Sequence, residues 1–411
     1  MSGATAVRTA DAEALRIFLR LIRPQPLADP YPLYARLRDL APFMPIRFPG
    51  IPTGYLVSTF AGCSTLLRDP AFGPPTHAQL DVLNPGWRDR AFTSCLYSSM
   101  VFRSGSNHRA SRQAAARHFA PRQVERYRDQ LDEIASMLID GLAGHGTGPV
   151  DLVEHLAVPF AALSLGRLLG IPDDEAIQLG LLARRAGAIF EQFVTAEQHE
   201  MIASAGEELV TRLAAFVARC RESGEDNLLA RLAGQDGADE QEQLGAAVLL
   251  FGAGFDSPAT MVGLGTKLLL DHPRQAALVA GQPDIVPRAV AEILRYEPPV
   301  QLVARTALVT AEIAGVEIPA GSAVFGLIGA ANRDPAVVKE PEVFDVTREQ
   351  VPSLSFGAGP HYCLGPTWRS CRARPCSRGC CARTRACGWR ASRSTGPPAR
   401  PCAASITCRS T

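Results

Sequence analysis

Lysine is almost missing from this chain: Lys267 and Lys339 stand against 40 arginines in 411 residues. Alanine, glycine and proline are abundant alongside, a bias that marks a GC-rich coding sequence. No uninterrupted apolar run reaches the roughly 18 residues of a membrane-spanning helix, and Arg8, Asp11 and Glu13 break the N-terminal region where a secretory leader would need an apolar stretch. Cysteine is scarce before position 363, with only Cys63, Cys95 and Cys220, and without a leader disulfides are not expected. These absences point to a cytoplasmic protein with no membrane anchor.

What is present suits a globular enzyme. Hydrophobic residues make up 46% and charged residues 20% of a chain long enough to bury a large core. The net charge of +1 hides an asymmetry, because residues 366–411 contain ten Arg and no Asp or Glu while the remainder carries −9. That tail also has no Leu, Val, Phe, Met or His, a single Ile406, and seven cysteines whose spacings form no paired CxxC set. It cannot supply the apolar face of a buried helix and reads as disordered. Its composition is better explained by a slipped reading frame near Pro366–Thr367 than by a nucleic-acid-binding arm. Shifted back by one base, every Trp and Cys codon gives Leu, Val or Met, and Trp368, Cys371, Cys376, Cys380, Cys381 and Cys387 become one apolar helix face.

Before the tail the pattern is mostly helical with a minor sheet. Asp29 caps a helix carrying Leu33, Leu37 and Leu40, with Pro30 in its first turn. Gly54 to Thr59 reads as a strand and Thr59 to Leu67 as a helix. Residues 73–107 show no period and read as a long functional loop. From Pro121 the residues Val124, Tyr127, Leu131, Ile134, Leu138 and Leu142 recur at helical spacing, and helices follow over Asp151–Leu169 and Ala203–Arg219. A long apolar helix runs from about Gln241 to Leu270, interrupted by Gly252, Gly254 and Pro258. Another spans Val286–Tyr296, and Leu302 to Ile328 reads as short strands. With no linker or repeat in view, residues 25–365 are expected to form one domain after an N-terminal segment, 1–24.

The strongest local signal is Phe356-Gly357-Ala358-Gly359-Pro360-His361-Tyr362-Cys363-Leu364-Gly365. Its glycines allow a tight turn and a close backbone approach, and a thiolate near the start of a following helix is favoured by free N–H groups. A lone Cys is ordinarily structural, but the flanking residues resemble the haem-binding loop FxxGxHxCxG of the cytochrome P450 superfamily. Glu292 and Arg295 form ExxR; a pair at that spacing is commonly a surface salt bridge, and here it lies at the family's distance before Cys363. Ala331-Asn332-Arg333-Asp334-Pro335, Phe344-Asp345 and Arg348 resemble the meander between them. Ala253-Gly254-Phe255-Asp256-Ser257 resembles the family's AGx[DE]T, with Ser in place of Thr and Pro258 beside it. His108 and Arg112 form HxxxR on an early helix, and Arg305 follows the Glu297-Pro298-Pro299 turn.

The resemblance covers about residues 25–365 and is nearest to soluble bacterial members. It implies a mainly α, triangular fold with a small sheet region, holding haem b. Cys363 would be the axial iron ligand, and the thiolate would favour O–O cleavage. Asp256 and Ser257 would relay protons; His108, Arg112, Arg305, His361 and Phe356 would hold the cofactor, the basic residues at its propionates. Glu292, Arg295 and Arg348 would brace the scaffold. The expected activity is monooxygenation of a small organic molecule in specialised metabolism, with electrons from a ferredoxin and ferredoxin reductase. Its substrate would be shaped by the 73–107 loop, the helices around 172–205 and Phe255. The alternative is a non-catalytic helper protein, against which Cys363, Asp256 and ExxR are all retained, or an inactive frameshifted product, which the aberrant tail favours.

Overall fold

The computed structural model describes residues 2–23, 27–47, 54–145, 149–190, 195–223, 227–233, 240–366, 390–392 and 405–407. They gather in two compact units, each discontinuous in sequence. One is drawn from the chain up to Pro75 and from Ala291 to Cys363; the other from Thr76–Phe190, the segment ending at Val290, and the chain from Leu364 onward. The 25–365 body, expected as a single domain, contains both.

The first unit is built on a five-stranded sheet with the spatial order Phe43–Ile46, Gly54–Val57, Ala323–Leu327, Leu302–Ala307, Phe72–Gly73. Gly54–Val57 and Ala323–Leu327 run parallel and the other neighbours antiparallel. The strands predicted over 302–328 are all present, including a hairpin of Ala311–Ile313 with Val316–Ile318 that turns at Gly315, where φ is +79°. A core of Val57, Leu66, Ile318 and Val324 packs on one side of this unit, and Ala14, Phe18, Leu37 and Leu327 form a second cluster. Within the N-terminal segment, Ser2–Leu21 is a helix that buries Ala14, Ile17 and Phe18. The helix expected to begin at Pro30 is Tyr31–Leu40, with Pro30 in the capping position. Asp29 still satisfies its first donor, accepting from the Tyr31 N–H at 3.0 Å.

The second unit is a helical assembly. Residues 73–107, expected as irregular loop, contain the helices His77–Leu83 and Ala91–Ser98 with single turns at Trp87–Asp89 and Met100–Phe102. The periodic run after Pro121 breaks into Pro121–Glu125 and Arg128–Leu142, and the Asp151–Leu169 helix is preceded by a wide turn at Val153–Ala157 before its regular part, Val158–Leu169. Ala196–Ser223 extends the reading at both ends. The long helix is Glu240–Asp271 with Pro258 inside it. By length and composition it could cross a bilayer, yet 56% of its most apolar window is buried in the protein, with its Val248 and Phe251 in one core cluster with Leu165 and Leu179. The tail, predicted disordered, supplies two strands, Arg390–Ser392 and Ser405–Thr407, the latter antiparallel to Pro149–Asp151.

Candidate functional site

The Cys363 turn belongs to the first unit. Gly357 and Gly359 have φ of +72° and +65°, a region that costs a residue with a Cβ about 1–2 kcal/mol. At Gly359 the demand is also steric: a Cβ there would lie 2.4 Å from the Leu67 carbonyl oxygen and 2.7 Å from the Arg68 Cα. Backbone presses on backbone, so only glycine fits. The turn is closed by the Gly357 N–H donating to Leu354 O at 2.8 Å, Tyr362 N–H to Gly359 O at 3.0 Å and Cys363 N–H to Phe356 O at 2.8 Å. Phe356 thus holds Cys363 through its carbonyl, and its ring stands 6.4 Å from that of Tyr362. Cys363 is a free, part-exposed thiol, whereas Cys63, Cys95 and Cys220 are buried. Burial pushes the Cys63 thiol up to about 12 and that of Cys95 up to about 11, so both stay protonated. His361 ends a single helical turn, Gly359–His361, and is half-buried. The helix expected to follow Cys363 falls outside the described residues after Pro366.

Glu292 and Arg295 are fully buried, which rules out a surface salt bridge. Their helix is Val286–Tyr296, as read from the sequence. All five guanidinium N–H groups of Arg295 are used: Nε and Nη2 on the two Glu292 oxygens at 2.7 Å each, Nη1 on Asn332 O (3.2 Å) and Pro341 O (2.9 Å), and Nη2 on Val343 O (3.2 Å). Arg348 Nε donates to Glu292 Oε1 at 3.1 Å, and its Nη atoms bind the carbonyls of Lys339, Glu340 and Val343. The Asp345 N–H adds a bond to Glu292 Oε1 at 3.0 Å. One glutamate and two arginines therefore tie the helix to six residues of an irregular segment, Asn332, Lys339, Glu340, Pro341, Val343 and Asp345.

Sequence reasoning passed over Arg333. It is 3% exposed, with its guanidinium carbon 3.1 Å from the Tyr31 ring centre and 3.6 Å from that of Tyr296. It donates to Tyr296 O and to Glu342. Burial works against its charge, but Tyr31, Glu342, Tyr296 and Glu297 outweigh it and hold its pKa above the usual arginine value. The signal was an arginine between two aromatics distant in sequence, which no local pattern displays.

Arg305 lies on the strand Leu302–Ala307. Burial lowers its pKa, its side chain donates from Nη1 to Ala304 O at 2.9 Å, and among the described residues no carboxylate contacts it. A partly desolvated cation without an acidic partner suits an anionic ligand group.

The remaining candidates belong to the second unit. His108 is 3% exposed on the helix Gly105–Ala116, one turn before the half-buried Arg112. Burial first, then the charges of Arg112 and Arg109, depress its pKa and keep the ring neutral. Along the middle of the long helix Ala253 and Asp256 are exposed and Leu249, Gly252, Ser257 and Thr260 part-exposed, a stripe beside the buried Phe251, Phe255 and Ala259. The Ser257 hydroxyl donates to Ala253 O at 3.1 Å, which directs its lone pairs away from the helix, and Pro258 removes the next backbone donor. Phe255, expected to shape a substrate, does not lie on that stripe. It is fully buried, and its ring seats over Gly180, where a Cβ would come within 2.8 Å of it.

No three His, Cys, Asp or Glu side chains converge among the described residues. Among the described residues, then, Cys363 stands as a single thiol outside any cluster of protein ligands. A rigid glycine turn presenting one thiol, with a guanidinium awaiting an anion, fits a macrocycle bearing both metal and carboxylates.

Comparison with known proteins agrees. The family model described as Cytochrome P450 matches residues 284–367. The chain is 34% identical to 6-deoxyerythronolide B hydroxylase of Saccharopolyspora erythraea, over 82% of this chain and 84% of the relative. It is 30% identical to cytochrome P450 monooxygenase PikC of Streptomyces venezuelae, over 84% and 82%. Among solved structures, P450BioI in complex with an acyl carrier protein superposes with a TM-score of 0.83 at 26% identity, covering 92% of this chain and 98% of that one.

Proposed function

Because this chain belongs to the cytochrome P450 family and is a monooxygenase with haem b as its cofactor, we propose that Cys363 is the axial ligand and that the substrate is a small organic molecule of bacterial specialised metabolism. The observation that carries the assignment is the Cys363 turn, whose Gly359 admits no side chain. When bound, haem supplies the activation of O2 and the insertion of one oxygen atom into a C–H or C=C bond. The chain's own groups do the rest. Cys363 presents its sulfur from a closed turn, and Glu292, Arg295 and Arg348 keep the segment before it in place. Arg305, His108, Arg112 and His361 take the two propionates, and Phe356 flanks the turn. Asp256 and Ser257 hold and pass protons, with Ser257 Oγ fixed as an acceptor by its bond to Ala253 O.

In this reading the enzyme is cytoplasmic and draws electrons from a ferredoxin and its reductase. The names of its relatives, 6-deoxyerythronolide B hydroxylase and Nocardicin C N-oxygenase among them, support a substrate of specialised metabolism. The family match ends at residue 367, where the composition changes, and this supports the slipped-frame reading of the tail. Resequencing the coding DNA tests it: an intact frame through residue 411 rejects the slip. The activity assignment is tested by the reduced, CO-bound spectrum, where a strongly red-shifted Soret band is expected. Haem-loaded protein without that band would remove Cys363 as ligand.

A further inference from the structure

We propose that Asn332 and Ser355 are positioning residues that latch the Cys363 turn onto the ExxR helix, a role that rests on the reading of Cys363 as the ligand. Neither residue belongs to the Glu292–Arg295–Arg348 group, and both are buried polar side chains, Asn332 at 0% and Ser355 at 8% exposure. The Leu354 N–H donates to Asn332 Oδ1 at 2.8 Å, Asn332 Nδ2 donates to Ser355 Oγ at 2.8 Å, and Ser355 Oγ donates to Leu294 O at 2.6 Å. Leu294 stands between Glu292 and Arg295 on their helix. The Ser353 hydroxyl closes the group, donating to Ser355 Oγ at 2.9 Å.

The hydrogens in this network have one arrangement. A backbone N–H can only donate, so Asn332 must turn its oxygen to Leu354 and its amide nitrogen to Ser355. Ser355, already accepting, must then send its proton to Leu294. An apolar pair in the same space would pack in several registers, whereas this chain of bonds specifies one. Its downstream end is the turn itself. Leu354, held by Asn332, offers its carbonyl to the Gly357 N–H, and Phe356, next to Ser355, offers its carbonyl to the Cys363 N–H. The path from the Leu294 carbonyl to the Cys363 amide thus runs through Ser355, Asn332 and two of the three backbone bonds that close the turn, all within one unit.

The test uses the full chain and three variants. Ser355→Ala removes the donor to Leu294 and the acceptor of Asn332. Ser355→Thr keeps the hydroxyl. Val324→Ala cuts the fully buried sheet core of the same unit and controls for general loss of stability. Amide hydrogen exchange across residues 356–363, read by mass spectrometry on the haem-free protein, should quicken at least about tenfold in Ser355→Ala and remain within about twofold of wild type in the other two. The idea is overturned if Ser355→Ala leaves that peptide protected, or if Val324→Ala exposes it equally. On haem-loaded protein, Ser355→Ala should lose at least about half of the red-shifted CO form at unchanged haem content, since a misplaced thiolate is the more easily lost; full retention overturns the role. A wild-type protein showing no red-shifted form would defeat the assignment of Cys363, while the exchange data would still decide whether the latch exists.

Discussion

Replacing Arg295 by Lys conserves charge and roughly conserves length, so it isolates the planar fork. Arg295 makes five hydrogen bonds to buried acceptors: two on Glu292 and one each on Asn332, Pro341 and Val343. An ammonium has three protons, so at least two of those acceptors lose a donor, and the Glu292 carboxylate and Asn332 among them are fully buried. Each costs about 1–3 kcal/mol, giving about 2–6 kcal/mol for the substitution. Arg348→Lys is the natural comparison. Its side chain is 15% exposed, three of its acceptors are carbonyls near solvent, and water can replace what lysine cannot reach, so about 1 kcal/mol is expected. At about 2.1 cal/mol/K of unfolding entropy per residue, a kcal/mol moves the melting temperature of a 411-residue chain by about 1 °C. Thermal unfolding followed by far-UV circular dichroism should therefore fall by roughly 2–7 °C in Arg295→Lys and about 1 °C in Arg348→Lys. If Arg295→Lys melts with the wild type, or drops no further than Arg348→Lys, the fork is not what holds the segment from 332 to 348.

Three more outcomes follow from the geometry. Gly357→Ala meets nothing nearer than the His361 carbonyl at 3.7 Å and should cost only the positive-φ strain of about 1–2 kcal/mol. Gly359→Ala must also displace the Leu67 backbone, so it should lose haem binding outright; equal haem content in the two variants would show the close approach to be unimportant. Ser257→Ala should lower product formed per O2 consumed by about tenfold or more with little change in melting temperature, and unchanged coupling would take Ser257 out of the relay. In the haem-free protein the folded His108 resists protonation, its pKa lying below the ordinary 6.5. The unfolded chain then binds the proton first, so stability is lost as pH falls from about 6.5 through the folded value. His108→Gln should flatten that decline between pH 7.5 and 5.5 by melting temperature, and haem, by bringing a carboxylate to the ring, should lessen it in the wild type; identical slopes in all three would deny both the burial penalty and the contact.

What was legible in the sequence was whatever is decided locally. The long helix was read to within a residue at each end because thirty residues of apolar pattern outweigh its internal proline. The ExxR helix kept its read bounds because its apolar positions face one way. The helices His77–Leu83 and Ala91–Ser98 were missed because seven or eight residues show too few turns for a period. One signal was present, since Thr76 and Gln79 form a capping box that announces the first of them. The site divides in the same way. Gly359 and Cys363 declare themselves because a turn's chemistry is written in consecutive residues. Phe255 was misplaced because the AGx[DE]T spacing says nothing about which neighbour covers which side of the helix, and Gly180, lying far earlier in the chain, decides that. Asn332 shows the limit most clearly. Its oxygen, its amide nitrogen and its carbonyl face Leu354, Ser355 and Arg295, partners 22, 23 and 37 residues away. A side chain whose use depends on three segments meeting carries no mark of that use in its own neighbourhood, and only the packed structure turns a conventional meander asparagine into a support for the sulfur.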